Sequence, residues 1–335
     1  MSSGNKTQLA VCLEQHLDLV RSNDELTRMG KSLMAVAGNE DFQNVKDNAI
    51  SAMGAVGRGL FSAGKWVGGK TLDIALKGFT AAGDQLSKSF SENGTLIKNV
   101  LRDVAKTADK DLKLSAPKVA AITATGDATH ILHDMDTLVK ALEAWVAHDK
   151  EVMNFLDKEL ITLKKLKTAN KADQIHAIIE EFEGLKYPEF KLGNSMGKAV
   201  KSEVLPGGRV FIFTNEGAPK YSMGGDAPSG EAKTLTMSKS EISDIMNKLD
   251  KVNDLHLKVK ESYDGYTAFI KSWADMVKGV DGNLSQLDKV SKTILGECEK
   301  LMSGNQGALA FYSGFTPRVV GYVDKYIHGV LGVFA

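Results

Sequence analysis

The feature that most constrains this chain is a seven-residue apolar register. It runs through Ile242, Ile245, Leu249, Val252, His256, Val259, Tyr263, Tyr266, Ile270, Trp273, Val277, Val280, Leu284, Leu287, Ser291, Ile294, Cys298 and Leu301. A repeat of this period puts one stripe of an α-helix against a partner surface, whereas a strand would need a period of two. Only His256 and Ser291 interrupt it. Its start is marked by Ser238-Lys239-Ser240-Glu241, a capping box in which the serine accepts from a first-turn amide and the glutamate reaches back. Two objects satisfy such a stripe: one long coiled-coil helix, or two antiparallel helices broken between Gly279 and Asn283. Gly279, Asp281 and Gly282 favour the break, at about 1 kcal/mol per glycine against helix continuation.

A second register precedes the first. After Gly126, with Asp127 as N-cap, Met135, Leu138, Leu142, Trp145, Val152, Leu156, Leu163 and Leu166 follow a heptad, with Asp149 and Glu159 as exceptions. This spacing predicts a helix of roughly forty residues, about 60 Å long at a 1.5 Å rise. A shorter helix follows from Ala172 to Phe182. Towards the N-terminus, Leu9, Leu13, Leu17, Val20 and Leu26 predict a helix within Thr7 to Ala37, closed by Gly38. A glycine-rich stretch from Gly54 to Gly69 then leads into Thr71 to Phe90, and helical spacing resumes from Leu96 to Leu112. Pro117 suits the first turn of a helix, and so does Pro317 at the head of a closing helix to Val333. That last helix has Val319, Val320, Val323, Ile327, Val330 and Leu331 on its apolar side.

Between Tyr187 and Gly230 the helical pattern stops. Pro188, Pro206, Pro219 and Pro228 are four of the six prolines in the chain, and glycines crowd between them. Here Arg209 to Thr214 reads RVFIFT after a Leu-Pro-Gly-Gly turn, and Lys233 to Met237 reads KTLTM. Both are rich in β-formers. The expectation is a small β-hairpin or lone ribbon with a mobile tip around Met223 to Gly230. The fold class is thus mainly α, an elongated helical bundle of long heptad-patterned helices with a small β-hairpin insert. Four regions follow: a Gly-interrupted helical region at 1–115, the long central and short helices at 116–186, the Pro/Gly-rich insert at 187–237, and a helical hairpin plus final helix at 238–335.

Composition narrows the function classes. With 43% apolar and 25% charged residues the chain has the balance of a folded protein. Forty-two basic residues equal 42 acidic ones, so no global field steers it onto nucleic acid or an anionic membrane. Cys12 and Cys298 are too few and too distant for a disulfide framework or zinc site, and read as free thiols of a reducing cytoplasm. The first twenty residues lack a basic segment followed by an unbroken apolar run, so no secretory leader is expected. The most apolar window, Val319 to Ala335, carries Asp324, Lys325 and His328 and is short for a membrane span.

Several local patterns invite a chemical reading. Gly59 to Trp66 has the spacing of a phosphate-binding loop, yet Trp66 stands where the metal-binding hydroxyl belongs, and the preceding SAMGAVGR is no buried strand. The same stretch interleaves Leu60, Phe61, Trp66 and Val67 with Arg58, Lys65 and Lys70. Such a segment either lies in a membrane interface or docks on neighbouring protein, and its small residues favour docking. His130, His133, Asp134 and Asp136 share a helix start but lack further ligands at recognisable spacing, so a solvated helix face outweighs a metal site. Cys12 and His16 lie one turn apart without an orienting acid. Glu180 with Glu181, and Glu297 with Glu299, read as solvated pairs. Tyr263, Tyr266 and Trp273 fall on the heptad stripe with Ile242, Ile245, Leu249 and Val252, where packing is the simpler role. No residue is assigned to catalysis, to a cofactor or to a metal.

The order of parts resembles the internal head proteins of large tailed bacteriophages. Leu13-Glu14 through Leu33-Met34, with LTRMGKSLMAVAG, looks like their opening helix, LPGGRVFIFT like their Pro-Gly-Gly strand, TLTMSKSEISDIMNKLDKV like the capped helix after it, and TPRVVGYVDKYI like their closing helix. The resemblance implies a non-enzymatic structural protein of the virion interior, made in the host cytoplasm. Its partners would be itself, other head proteins or packaged DNA, and it would need no cofactor or small-molecule substrate. It also implies trimming after Glu in a short small-residue motif, which Gly38-Asn39-Glu40 and Ser229-Gly230-Glu231 fit. Two other classes stay open: a membrane-active or pore-forming helical protein acting through Leu60 to Val67, and a phage effector that binds a host protein.

Overall fold

The computed structural model describes residues 90–103, 110–192, 199–214, 220–284 and 315–334. In chain order the elements are helix α1 over residues 90–103, strand β1 (Lys110–Leu114), α2 (Ala116–Ile122), α3 (Ile131–Lys164), α4 (Ala172–Glu183), β2 (Ala199–Lys201), β3 (Val210–Thr214), β4 (Lys220–Gly224), β5 (Lys233–Met237), α5 (Lys239–Leu284) and α6 (Thr316–Phe334). The protein is mostly helical, with two small antiparallel sheets. The described residues divide between two compact units, one holding those within 83–154, 187–265 and 314–335, the other those within 155–186 and 266–313.

α3 begins as the sequence requires. The Asp127 carboxylate accepts from the Thr129 amide at 3.0 Å and from its hydroxyl at 2.8 Å, opening a 3-10 turn (Ala128–His130) that feeds the helix. Met135, Leu138, Leu142, Trp145, Val152, Leu156, Leu163 and Leu166 are all buried. The two exceptions in that register, Asp149 and Glu159, are buried as well. α3 spans 34 residues, and with the 3-10 turns that open and close it (Ala128–His130 and Lys165–Lys167) the helical run covers residues 128–167, close to the length expected.

In the unit that contains α6, helices and strands share the core. α6 contributes Val319, Val320, Val323, Ile327 and Val330, α2 contributes Val119 and Ile122, and β1 contributes Leu112 and Leu114. β3 alternates, turning Phe211 and Phe213 inward and leaving Val210, Ile212 and Thr214 half-exposed. Each such apolar side chain stabilises the fold by about 1.5–3 kcal/mol through removal from water. In the other unit, Leu156, Leu160, Leu163 and Leu166 are buried along with Ile175, Ile178 and Ile179 of α4. There Lys165 Nζ meets the Glu181 carboxylate at 2.6 Å and Thr162 donates to it at 3.2 Å.

The sheets differ from the hairpin that sequence suggests. β3 pairs with β4 as a hairpin and with β2 on its other side, in the order β2-β3-β4. β5 joins neither; it pairs with β1, with Leu112 opposite Leu235. The residues of β1 were expected to continue a helix, but Lys-Asp-Leu-Lys-Leu alternates with period two, and its leucines are buried while Asp111 and Lys113 are exposed. The expected mobile tip around Met223 to Gly230 is instead packed against other backbone. Gly208 (φ +69°) lies so close to the Asp226 carbonyl that a Cβ there would collide with it, and Gly126 (φ +85°) meets the Ser229 carbonyl in the same way.

α5 opens with the capping box: the Ser238 amide donates to Glu241 Oε2 at 2.8 Å, and the Glu241 amide donates to Ser238 Oγ at 3.3 Å. The helix then runs 46 residues without interruption through Gly279, Asp281, Gly282 and Asn283. The helix passes through the expected break and is described to Leu284, and the residues beyond, where the second arm of a hairpin would lie, are outside the described residues. Two glycines cost only about 2 kcal/mol of helix propensity. The first turns of α5 bury Ile242, Ile245, Met246, Leu249, Val252, Asn253, Leu255 and His256. This stripe is wider than two positions in seven, as for a helix laid on a globular core. Lys248 pairs with Asp136 and Lys251 with Glu143 along its edge towards α3.

Candidate functional site

The most concentrated polar chemistry inside the protein is built on His148. α3 carries this imidazole into a cage of rings made by Phe190, Phe213, Tyr221 and Tyr187, with Phe190 nearest at a centroid distance of 4.9 Å. His148 Nε2 is 2.8 Å from the Tyr221 hydroxyl, which in turn lies 2.8 Å from the Tyr187 hydroxyl. Burial pushes the imidazole down to about 3, so it stays neutral at physiological pH. Phe211, Phe315 and Tyr322 extend the rings towards α6. A neutral imidazole hydrogen-bonded to a phenol can move a proton, but the groups packed around it are aromatic side chains, and the arrangement fastens β3 and β4 onto α3.

A second set of buried polar groups anchors α6. Asp324, 3% exposed on α6, accepts from Asn93 Nδ2 of α1 at 3.1 Å. Tyr322 donates to the Pro206 carbonyl at 2.8 Å, which ties α6 to the Leu-Pro-Gly-Gly turn. Lys118 of α2 donates to the Gly332 carbonyl at 2.8 Å and so satisfies the end of the helix. Asp134 accepts from the Ala124 amide at 2.7 Å, and burial raises its carboxyl above the usual range. Burial likewise raises the Tyr322 and Tyr326 phenols.

The residues singled out from sequence do not converge on one place. Ile242, Ile245, Leu249 and Val252 are buried among the side chains of their own chain. Tyr266 is also buried, stacked near Phe269 with centroids 6.2 Å apart, and desolvation raises its phenol. Tyr263 and Trp273 lie on α5, and their side chains fall outside what the structure describes. Leu60, Phe61, Trp66 and Val67, the whole Gly59 to Trp66 loop, Glu40, Cys12, His16, Glu297, Glu299 and Cys298 lie outside the described residues. Glu231 is exposed in the segment between Gly230 and β5.

His130 and His133 are exposed, near enough to Asp134 to act on its charge, while Asp134 is turned inward to Ala124 and Asp136 pairs with Lys248. Among the described residues no group of three or more His, Cys, Asp or Glu side chains is placed to hold a metal ion. No described helix is long and apolar enough to cross a membrane. The His148 cage and the Asp324–Asn93 bond were not foreseen. The signal for both was present: His148 sits beside Asp149 where the α3 register breaks, and Asp324 is the one acid in the closing helix.

Comparison with known proteins turned on one finding. No curated protein and no solved structure matches the chain. The family model of the phiKZ-like phage internal head proteins matches residues 23–333, which takes in every element described above except the last residue of α6. The chain belongs to the phiKZ-like phage internal head proteins.

Proposed function

We propose that the chain is a non-enzymatic structural protein of the virion interior that acts by helix-mediated assembly, with itself or with other head proteins, and leaves the head with the genome at infection. The observation that carries this reading is the family match over residues 23–333. The build of the molecule supports it: α3 and α5, of 34 and 46 residues, would reach about 50 and about 70 Å as straight helices and suit an elongated bundle.

In this reading Ile242, Ile245, Leu249, Val252, Tyr263, Tyr266 and Trp273 hold the bundle together, with the outer side of α5 left for coiled-coil contacts. Leu60, Phe61, Trp66 and Val67 form a partner-docking segment, and Glu40 and Glu231 are the positions after which a head protease trims the chain. Equal numbers of basic and acidic residues, 42 each, suit a protein that lies beside packaged DNA rather than one that condenses it.

The test is quantitative mass spectrometry of purified virions before and after genome release. The proposal expects the chain in full heads and its loss from emptied ones. Full retention in emptied heads would remove ejection from the proposal, and absence from virions would overturn it entirely.

A further inference from the structure

β5 is a sheet edge. Among the described residues its only strand partner is β1, in a continuous five-pair register from Lys110 opposite Met237 to Leu114 opposite Lys233. One face of this ribbon packs inward through Leu112 and Leu114, each 3% exposed, with Leu235 half-buried opposite Leu112. The other face carries Asp111, Lys113, Thr234 and Thr236, all exposed, and the Thr236 hydroxyl donates to Asp111 Oδ1 at 2.6 Å. A two-stranded ribbon is marginal by itself, and an edge without a strand partner, as the outer edge of β5 is among the described residues, presents a row of N–H and C=O groups to a further strand.

Folds that must keep such an edge single protect it with proline, a bulge, a charge turned inward at its centre or a covering helix or loop. β5 carries none of the first three, and among the described residues the short 3-10 turn at 128–130 packs beside it, at the end where Lys233 meets Asp127. Its one charge is Lys233 at the end of the strand, where the ammonium lies 3.6 Å from Asp127. The sequence Lys-Thr-Leu-Thr-Met is also nearly symmetric about Leu235. Laid antiparallel on itself with Leu235 at the centre, it sets leucine opposite leucine and Thr234 opposite Thr236, while Lys233 falls opposite the uncharged Met237. No like charges meet, and threonine pairs are favourable across antiparallel strands.

We propose that the outer edge of β5 is a docking surface for β5 of a second copy of this chain, related by a two-fold axis through Leu235. The product is a four-stranded sheet in the order β1-β5-β5-β1, an isologous contact in which each copy supplies the same edge. This rests on the reading that the chain self-associates, and it names a strand surface where that reading invoked helices.

The test is sedimentation of the purified full chain across a concentration series. Wild type sediments as a dimer. Thr234→Lys with Thr236→Lys sets two lysine pairs across the axis and weakens dimerisation about tenfold or more. Thr234→Glu with Thr236→Lys restores it, because each new acid then faces a new base. These positions are exposed, so circular dichroism stays unchanged in both variants. As an independent arm, oxidised Leu235→Cys yields a dimer whose disulfide maps to 235–235. A wild-type chain that stays monomeric at every concentration overturns the inference and leaves location in the head untouched. A dimer indifferent to the paired lysines and without a 235–235 link overturns strand pairing while helix-mediated association survives.

Discussion

His148 is neutral in the folded chain because its charged form would be cut off from water, and this has a measurable pH consequence. The unfolded imidazole titrates near 6.5 and the folded one near 3. Between those values the unfolded chain binds the extra proton, so the stability that His148 contributes is intact above about pH 6.5 and is lost as pH falls towards 3. The expected slope is at most about 1.4 kcal/mol per pH unit. Denaturation midpoints between pH 7 and pH 4.5 should fall less steeply for His148→Gln than for wild type; parallel curves would show that the cage does not hold the imidazole neutral.

A second residue-scale prediction concerns Gly126, where a side chain would meet both an unfavourable φ and the Ser229 carbonyl. Gly126→Ala should lower the unfolding free energy by about 1–3 kcal/mol in a urea titration. Sequence marked both positions without giving either role. A histidine beside an aspartate in a helix looks solvated until Tyr221 and Phe190 are brought to it, and Gly126 was legible only as a boundary. The surface it accommodates arrives from a hundred residues away.

At the scale of elements, period decides what can be foreseen. α3 and α6 were legible because their apolar residues recur over many turns, so a few polar interruptions do not hide the pattern. Leu142→Ala should therefore cost about 2–5 kcal/mol by loss of burial and creation of a cavity, while the adjacent exposed Glu143→Ala should change stability by less than about 0.5 kcal/mol. Chemical denaturation of both variants checks the contrast. The N-terminus of α5 was legible in the same way, from local chemistry: Ser238→Ala should cost about 1 kcal/mol, seen as reduced thermal stability. β1 and β4 were not legible. Five residues of alternation in β1 are too few to outweigh the helical spacing upstream, and β4 owes its state to its neighbour β3. α5 passes through Gly279 and Gly282 for a related reason, since glycine propensity is weak within 46 residues of continuous helix.

At the scale of the whole molecule, the last helix holds its unit together. α6 packs against α2 and β1, and it makes polar ties to α1 through Asn93, to α2 through Lys118 and to the Leu-Pro-Gly-Gly turn through Tyr322. A chain ended before Thr316 should lose the cooperative unfolding of that unit, with tryptophan emission from Trp145 shifted to the red of the intact protein. Retention of a sharp transition would mean that the unit folds without its closing helix. Membership of the internal head proteins was legible because short patterns in four places keep their order, and the family model, from residue 23 onward, takes in three of them whole and the latter part of the first.

The central claim is that this protein works inside the phage head. Protease protection in purified virions tests it most directly, with peptides from residues 90–334 followed by mass spectrometry. The account predicts that these peptides are present, survive protease added to intact heads, and are digested once the heads are opened. Digestion in intact heads, or detection only in lysates of infected cells, would contradict it.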